Sequence, residues 1–212
     1  MQKDTRNELY VSAIAIAIAL NCKIVIIENV PEVGVSDQNV VMRSRNTLQK
    51  YGYSITEKEI KLDASNYGTA QSRKRHFTIG IKNGISPSLD LLEQLKCEKT
   101  SCLEAICDLE GKENSSNFDM VSELSEDNKR RIDYLFDNDL YELPASERPE
   151  CHDDDNTYPS IYGRMYPMIP SPTLSTGFMS PGRGRYIHPN RRRCLTPHEG
   201  ARIQGFPDDY CL

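Results

Sequence analysis

Lys23-Ile24-Val25-Ile26-Ile27 is an almost wholly β-branched run that closes on Glu28-Asn29-Val30-Pro31, and no other stretch of the chain narrows the fold as much. Continuous apolar character, as opposed to alternation, predicts a strand buried on both faces of a parallel sheet. In open sheets of that kind ligands gather beyond the carboxyl ends of the strands. Glu28 sits at that end and becomes a candidate site residue, although a lone carboxylate there could equally cap the following turn.

The surrounding segments alternate in type. Residues 9–20 interleave Ala and Ile, which suits a strand or a buried helix, and periodicity does not choose between them. Residues 37–50 read as a helix with Asp37 near its start, 53–62 as an alternating strand and 76–82 as another. The alternation predicts an α/β fold. From 86 to 138 the stretches 88–95, 101–109 and 126–136 read as helices, with Ser101 and Glu104 spaced as a capping box. Beyond Pro144 the chain is rich in Pro and Gly as far as Pro197, which predicts loops or short strands.

With 212 residues there is room for one sizeable core and a small second lobe. The net charge of -5 gives no bulk reason to expect a nucleic-acid partner. The distribution is more telling: residues 101–155 hold 17 acidic and 5 basic side chains, whereas 156–212 hold 3 and 7. A polyanion would therefore meet the second stretch first, and the acidic block reads as a solvated surface insertion. The seven cysteines are odd in number and form no CxxC pair, which predicts reduced thiols and a cytoplasmic protein. Cys151-His152 has no second pair at ligand spacing, so no metal is expected. The opening MQKDTRNELYVSAIAIAIALNC has the outline of a lipoprotein leader. Asp4 and Glu8 interrupt its basic region and the apolar run is too short to span a bilayer, so no membrane association is expected.

Two further stretches concentrate polar function. Gln71-Ser72-Arg73-Lys74-Arg75 precedes an apolar strand, and extended chain would project Arg73 and Arg75 to one side. Guanidinium groups so placed suit a phosphate or a base carbonyl, although such a cluster is also the pattern of a solvated face. Near the other end, Pro181-Gly182-Arg183-Gly184-Arg185-Tyr186 leads into Arg191-Arg192-Arg193, after which Thr196-Pro197 opens a helix.

In order, DTRNELY at 4–10, ENV at 28–30, QSRKR at 71–75 and RCLTPHEGARIQGFPDDY at 193–210 resemble the signatures of the DNA cytosine-5 methyltransferase family. The resemblance implies transfer of a methyl group from S-adenosylmethionine to cytosine C5, as in restriction-modification systems. It also implies a partial doubly wound, Rossmann-like methyltransferase sheet with a small loop-rich target-recognition region. On that reading residues 1–85 are catalytic, 86–192 carry the insertion and recognition region, and 193–212 form the helix that organises it. In the family's chemistry a thiolate adds at C6 of an extruded cytosine and charge builds on N3 and O2. By resemblance Glu28 meets N3 and the exocyclic amine, Arg75 meets O2, and Arg73 orients Glu28 or touches a flanking phosphate. The resemblance also implies that Leu9 packs on the donor's adenine and that Arg183, Arg185 and Arg191 contact double-stranded DNA.

Departures are few. Thr69-Ala70 replace the usual apolar residue and proline, and Gly200 replaces alanine, at an expected cost of about 1 kcal/mol in helix propensity. The larger gap is the nucleophile, which the family carries in a Pro-Cys signature, whereas none of the twelve prolines here is followed by cysteine. The glycine-rich donor turn and the closing Gly-Asn-rich segment are also missing. The resemblance therefore implies the C-terminal portion of a truncated or split member, inactive until an upstream fragment supplies the thiolate. The alternative is a non-catalytic DNA-recognition module or an inert truncated product. Either way the half-sheet should expose a strand edge and apolar faces.

Overall fold

The computed structural model describes residues 6–35, 39–85, 88–150 and 160–210. They form two compact units, Met1–Asp63 with Arg73–Lys96, and Ala64–Ser72 with Cys97–Leu212. The division falls eleven residues later than the expected boundary at 85, and 64–72 joins the second unit. Residues 193–212 are not separate, because their helix shares a core with residues near 102.

In the first unit α1 (Arg6–Ala19) resolves the ambiguity of the Ala/Ile stretch. Tyr10 and Ile14 are buried, and Ala17 and Ile18 pack beside them, which is the spacing of a helical stripe. The strands are β1 (Ile24–Asn29), β2 (Tyr53–Ile55), β3 (Ile60–Asp63) and β4 (Lys74–Lys82), with α2 (Val40–Lys50) between β1 and β2. Asp37 lies outside the described residues, and α2 starts after Asn39 in the left-handed region. The expected single strand over 53–62 is two, broken where Thr56 Oγ1 donates to Lys58 O at 2.8 Å.

β4 lies at the centre and pairs antiparallel with β1, β2 and β3. This corrects the parallel, doubly buried reading of 23–27. Val25 is 6% exposed, but Ile24 and Ile26 are 59% and 62% exposed. The run is apolar on both sides, yet only the side with Val25 is covered, by the core of Tyr10, Ile14, Val40, Leu48 and Tyr53. Two buried hydroxyls fix the layers: Tyr10 Oη lies 2.6 Å from Thr78 Oγ1, and Tyr53 Oη donates to Cys22 O at 2.6 Å. A short helix, α3 (Asp90–Gln94), completes the unit.

The second unit is built from α4 (Cys102–Ile106), α5 (Glu126–Asp137), α6 (Pro197–Ile203) and long loops. Ser101 and Thr196 each accept from the backbone N–H three residues on, while Glu104 and Glu199 accept in return, so both α4 and α6 begin with capping boxes. Cys102, Ile106, Met165, Leu195 and Ile203 form one core, and Ile132, Leu135, Leu143 and Ile187 form another. The acidic block is thus no mere solvated insertion. It supplies both cores, and its carboxylates pair with arginines of the basic stretch: Glu110 with Arg191, Glu113 with Arg193, Asp133 and Asp137 with Arg192, Glu142 with Arg185 and Asp108 with Arg202. Gly200 also has a packing reason, since a Cβ there would meet the Phe178 ring at 2.6 Å.

Candidate active site at the carboxyl end of β1

Register brings Glu28 and Arg75 together. In the β1–β4 ladder Glu28 faces Phe77, so Arg75, two residues before Phe77, projects from the same face within diagonal reach. Arg75 Nε lies 2.7 Å from Glu28 Oε1, and an amino nitrogen of Arg73 lies 4.0 Å from the same oxygen. Arg75 also donates to Lys74 O at 2.8 Å, and Asp63 Oδ1 accepts from the Arg73 backbone N–H at 3.0 Å. Asn29 turns the chain away from the strand by accepting from Val30 N at 2.8 Å.

The Glu28 side chain remains 45% exposed, and no described residue donates to its Oε2. The pair is only partly buried, and pairs open to solvent contribute about 0–1 kcal/mol to stability, so folding alone gives little reason for three charges to converge at one strand end. Chemically the arrangement offers an acceptor beside guanidinium donors, which matches a ring edge carrying an amine and a carbonyl. On the other face of β4, His76 is fully buried, and burial lowers its pKa.

Leu9 is 69% exposed on the first turns of α1, an apolar surface available to a flat ring. The chain's buried thiols are poor nucleophiles, because desolvation pushes Cys102 and Cys194 up to about 12. Among the described residues no group of three His, Cys, Asp or Glu is placed to hold a metal ion, and no helix is long and apolar enough to cross a membrane.

Three arginines expected at DNA lie in the second unit, and they differ. Arg185 is 9% exposed, and its guanidinium donates to Tyr141 O, Arg164 O and Glu142. That corrects its assignment: its donors are used inside the fold, where it also lies over the Tyr166 ring at 4.7 Å. Arg191 is half-exposed but bonded to Glu110 at 2.7 Å. Arg183 is exposed and has no carboxylate partner among the described residues.

Sequence reasoning also missed the clasp on Gln71-Ser72. Ser72 N donates to Ser171 O at 2.8 Å, Ser171 N to Ala70 O at 2.7 Å, and Thr173 Oγ1 to Ser72 O at 2.9 Å. These partners lie about a hundred residues away, and no local pattern announces them. Asp63 could have been found, as it ends a strand of alternating character.

A family model described as C-5 cytosine-specific DNA methylase matches residues 1–212. The Type II methyltransferase M1.BsuMI of Bacillus subtilis (strain 168) is 39% identical over 208 residues, 98% of this chain and 48% of that protein. The Type II methylase M.HgiDII of Herpetosiphon aurantiacus is 27% identical over 195 residues, 88% of this chain and 54% of that one. The chain spans about half the length of the curated relatives it matches. Among solved structures, a putative DNA modification methyltransferase encoded within an E. coli prophage aligns with a TM-score of 0.60 at 21% identity, over 97% of this chain and 65% of that one. That likeness establishes a methyltransferase-type α/β fold.

Proposed function

The chain belongs to the C-5 cytosine-specific DNA methylase family, and from that membership we propose that it is the base-binding portion of a DNA cytosine-5 methyltransferase. The observation that carries this reading is the 2.7 Å approach of Arg75 to Glu28 at the carboxyl end of β1. A cytosine extruded from the duplex would meet Glu28 with its N3 and exocyclic amine and Arg75 with its O2. Glu28 accepts from the amine with one oxygen and holds a proton toward N3 with the other. Arg75 donates toward O2, and Arg73 keeps the carboxylate turned to the base. Charge that develops across N3 and O2 is then stabilised by groups already in place.

S-adenosylmethionine is the methyl donor of this reading, and Leu9 would form one apolar wall against its adenine. The thiolate and the remaining donor contacts come from a methylase segment outside these 212 residues, since no Pro-Cys pair occurs in them. The second unit serves target recognition on double-stranded DNA, with Arg183 exposed and without a carboxylate partner among the described residues.

The test mixes the purified chain with such a segment, duplex DNA and donor labelled in the methyl group. Label should enter cytosine only in the mixture, and Glu28→Gln should lower turnover by about a hundredfold or more while the complex still forms. Undiminished labelling with Glu28→Gln overturns the assignment. A folded complex that retains DNA in a salt-sensitive way but never transfers methyl would instead establish a binding module.

A further inference from the structure

A second polar layer lies beneath the acid–arginine pair. β4 turns Arg75 to one face and His76 to the other. In the ladders His76 stands opposite Asn29 of β1 and Lys61 of β3, so these three side chains share the face away from Glu28. The His76 ring is fully buried, and neither ring nitrogen has a hydrogen-bond partner among the described residues. Buried polar atoms left in that condition are rare, because each costs about 1–3 kcal/mol. An aliphatic residue would serve packing better, so the imidazole calls for a reason of another kind.

One carboxylate faces the ring. Glu59, on the turn between β2 and β3, places Oε2 3.8 Å from His76 Nε2 and 3.6 Å from Lys61 Nζ. The same oxygen lies 3.2 Å from where a Cβ on Gly34 would stand. Glu59 therefore also abuts the turn Pro31–Val35, which carries the chain on from Glu28 and Asn29. Burial is the largest influence on the ring and holds it neutral. Glu59 works against burial, while Lys61 and Arg45 of α2 reinforce it. Tyr10 of α1 closes the same face of β4 through its hydroxyl contact with Thr78.

We propose that His76 is the positioning residue of the acid–arginine pair, a latch that keeps the end of the β1–β4 ladder closed while its ring is neutral and parts Arg75 from Glu28 when the ring takes a proton. The latch rests on the functional reading above and adds an acid limit to it. An imidazolium there would be a buried charge 3.8 Å from the Glu59 carboxylate, and the closed strand end offers it no hydrogen bond. Opening the ladder where His76 faces Asn29 admits water to the ring. Burial sets the sign: folding favours the neutral ring, so the closed end is fully held above about pH 6.5 and is lost as pH falls through the ring's lowered value.

Nuclear magnetic resonance on the full chain, with neither DNA nor donor present, follows the Arg75 Nε–H that lies 2.7 Å from Glu28. Its protection, measured as exchange relative to free arginine, should fall about tenfold per pH unit across the range in which the His76 ring titrates. His76→Leu takes no proton and should keep that protection level over the same range. Glu59→Gln removes the carboxylate that steadies the imidazolium, so the fall should begin at lower pH. The same protection profile in wild type, His76→Leu and Glu59→Gln overturns the proposal. If His76→Leu does not fold, an unmoved profile in Glu59→Gln is enough to overturn it, as is a ring that titrates while protection stays level. No methyl transfer enters the readout, so failure of the latch leaves the functional reading standing. Undiminished labelling with Glu28→Gln sinks that reading and leaves the latch measurable.

Discussion

Gly200→Ala sets two effects on α6 against each other. Removing a glycine from a helix interior favours the helix by about 1 kcal/mol. The added methyl, however, would stand 2.6 Å from Phe178 Cζ and 2.7 Å from Cε2, about 1 Å inside ordinary carbon contact. Phe178 cannot swing aside freely, because it packs against the core of Cys102, Met165, Leu195 and Ile203, and its N–H is bonded to Ser175 O. Overpacking of this sort costs about 1–3 kcal/mol. The net expectation is a loss of about 1 kcal/mol, with the propensity gain offsetting only part of the strain. Urea unfolding at neutral pH, followed by circular dichroism, gives the value by linear extrapolation. In a double-mutant cycle, Phe178→Leu should be less harmful when combined with Gly200→Ala than alone, with a coupling of about 1 kcal/mol or more. If Gly200→Ala stabilises by its full propensity gain and the two substitutions add, the packing account of this glycine is wrong.

Other expectations follow from buried polar groups and from the arginines. Glu199 is 1% exposed, holds Arg193 through bonds of 2.8 and 2.7 Å and accepts from Thr196 N; Glu199→Ala should cost about 3–5 kcal/mol in urea unfolding, and a loss below about 1 kcal/mol would refute its role. His188 is fully buried, and desolvation holds its pKa down to about 4. Its neutral form is favoured by folding, so the stability linked to it is complete above about pH 6.5 and is lost as pH falls toward 4, on the order of 3 kcal/mol in all. His188→Gln should flatten that part of the pH profile; an unchanged slope rejects the assignment. Arg183→Ala should lower the salt slope of DNA retention by about one counterion without changing the melting temperature, whereas Arg185→Ala should destabilise by about 1–3 kcal/mol. The opposite pattern would return Arg185 to the DNA surface.

The Glu28 and Arg75 positions were legible because strand character and two-residue alternation are local properties: a β-branched run locates the strand end, and parity puts Arg73 and Arg75 on one side. The partner of that strand was not legible. Ile24–Asn29 pairs antiparallel with Lys74–Lys82, and nothing within a continuous apolar run distinguishes that from parallel pairing. Nor does the run say whether both apolar faces are covered within these residues. The Ala/Ile stretch at 9–20 was undecidable by period, and tertiary burial of Tyr10 and Ile14 settled it as a helix. The helix at Thr196 was readable because caps are chemical signatures, with Ser, Thr, Pro and Glu at fixed offsets.

Charge was the property that sequence blocks misrepresented most. Counting residues 101–155 and 156–212 separately suggests an acidic surface and a basic one, but the folded second unit superimposes them. Arg185, Arg191, Arg192, Arg193 and Arg202 all meet carboxylates from the acidic block. Arg185 and Arg193 are buried and the other three lie at the surface, where a paired guanidinium gains little stability; in all five a nearby carboxylate offsets the charge that a polyanion would feel. Arg164, stacked between Phe136 at 4.2 Å and Tyr141 at 4.8 Å, and Arg185 over Tyr166 then act as flat spacers between rings. Arg164, Arg185 and Arg193 are thus internal mortar, whereas Arg183 is exposed and has no carboxylate partner among the described residues, so exposure and pairing, more than position in a basic stretch, are the reason to test it at DNA.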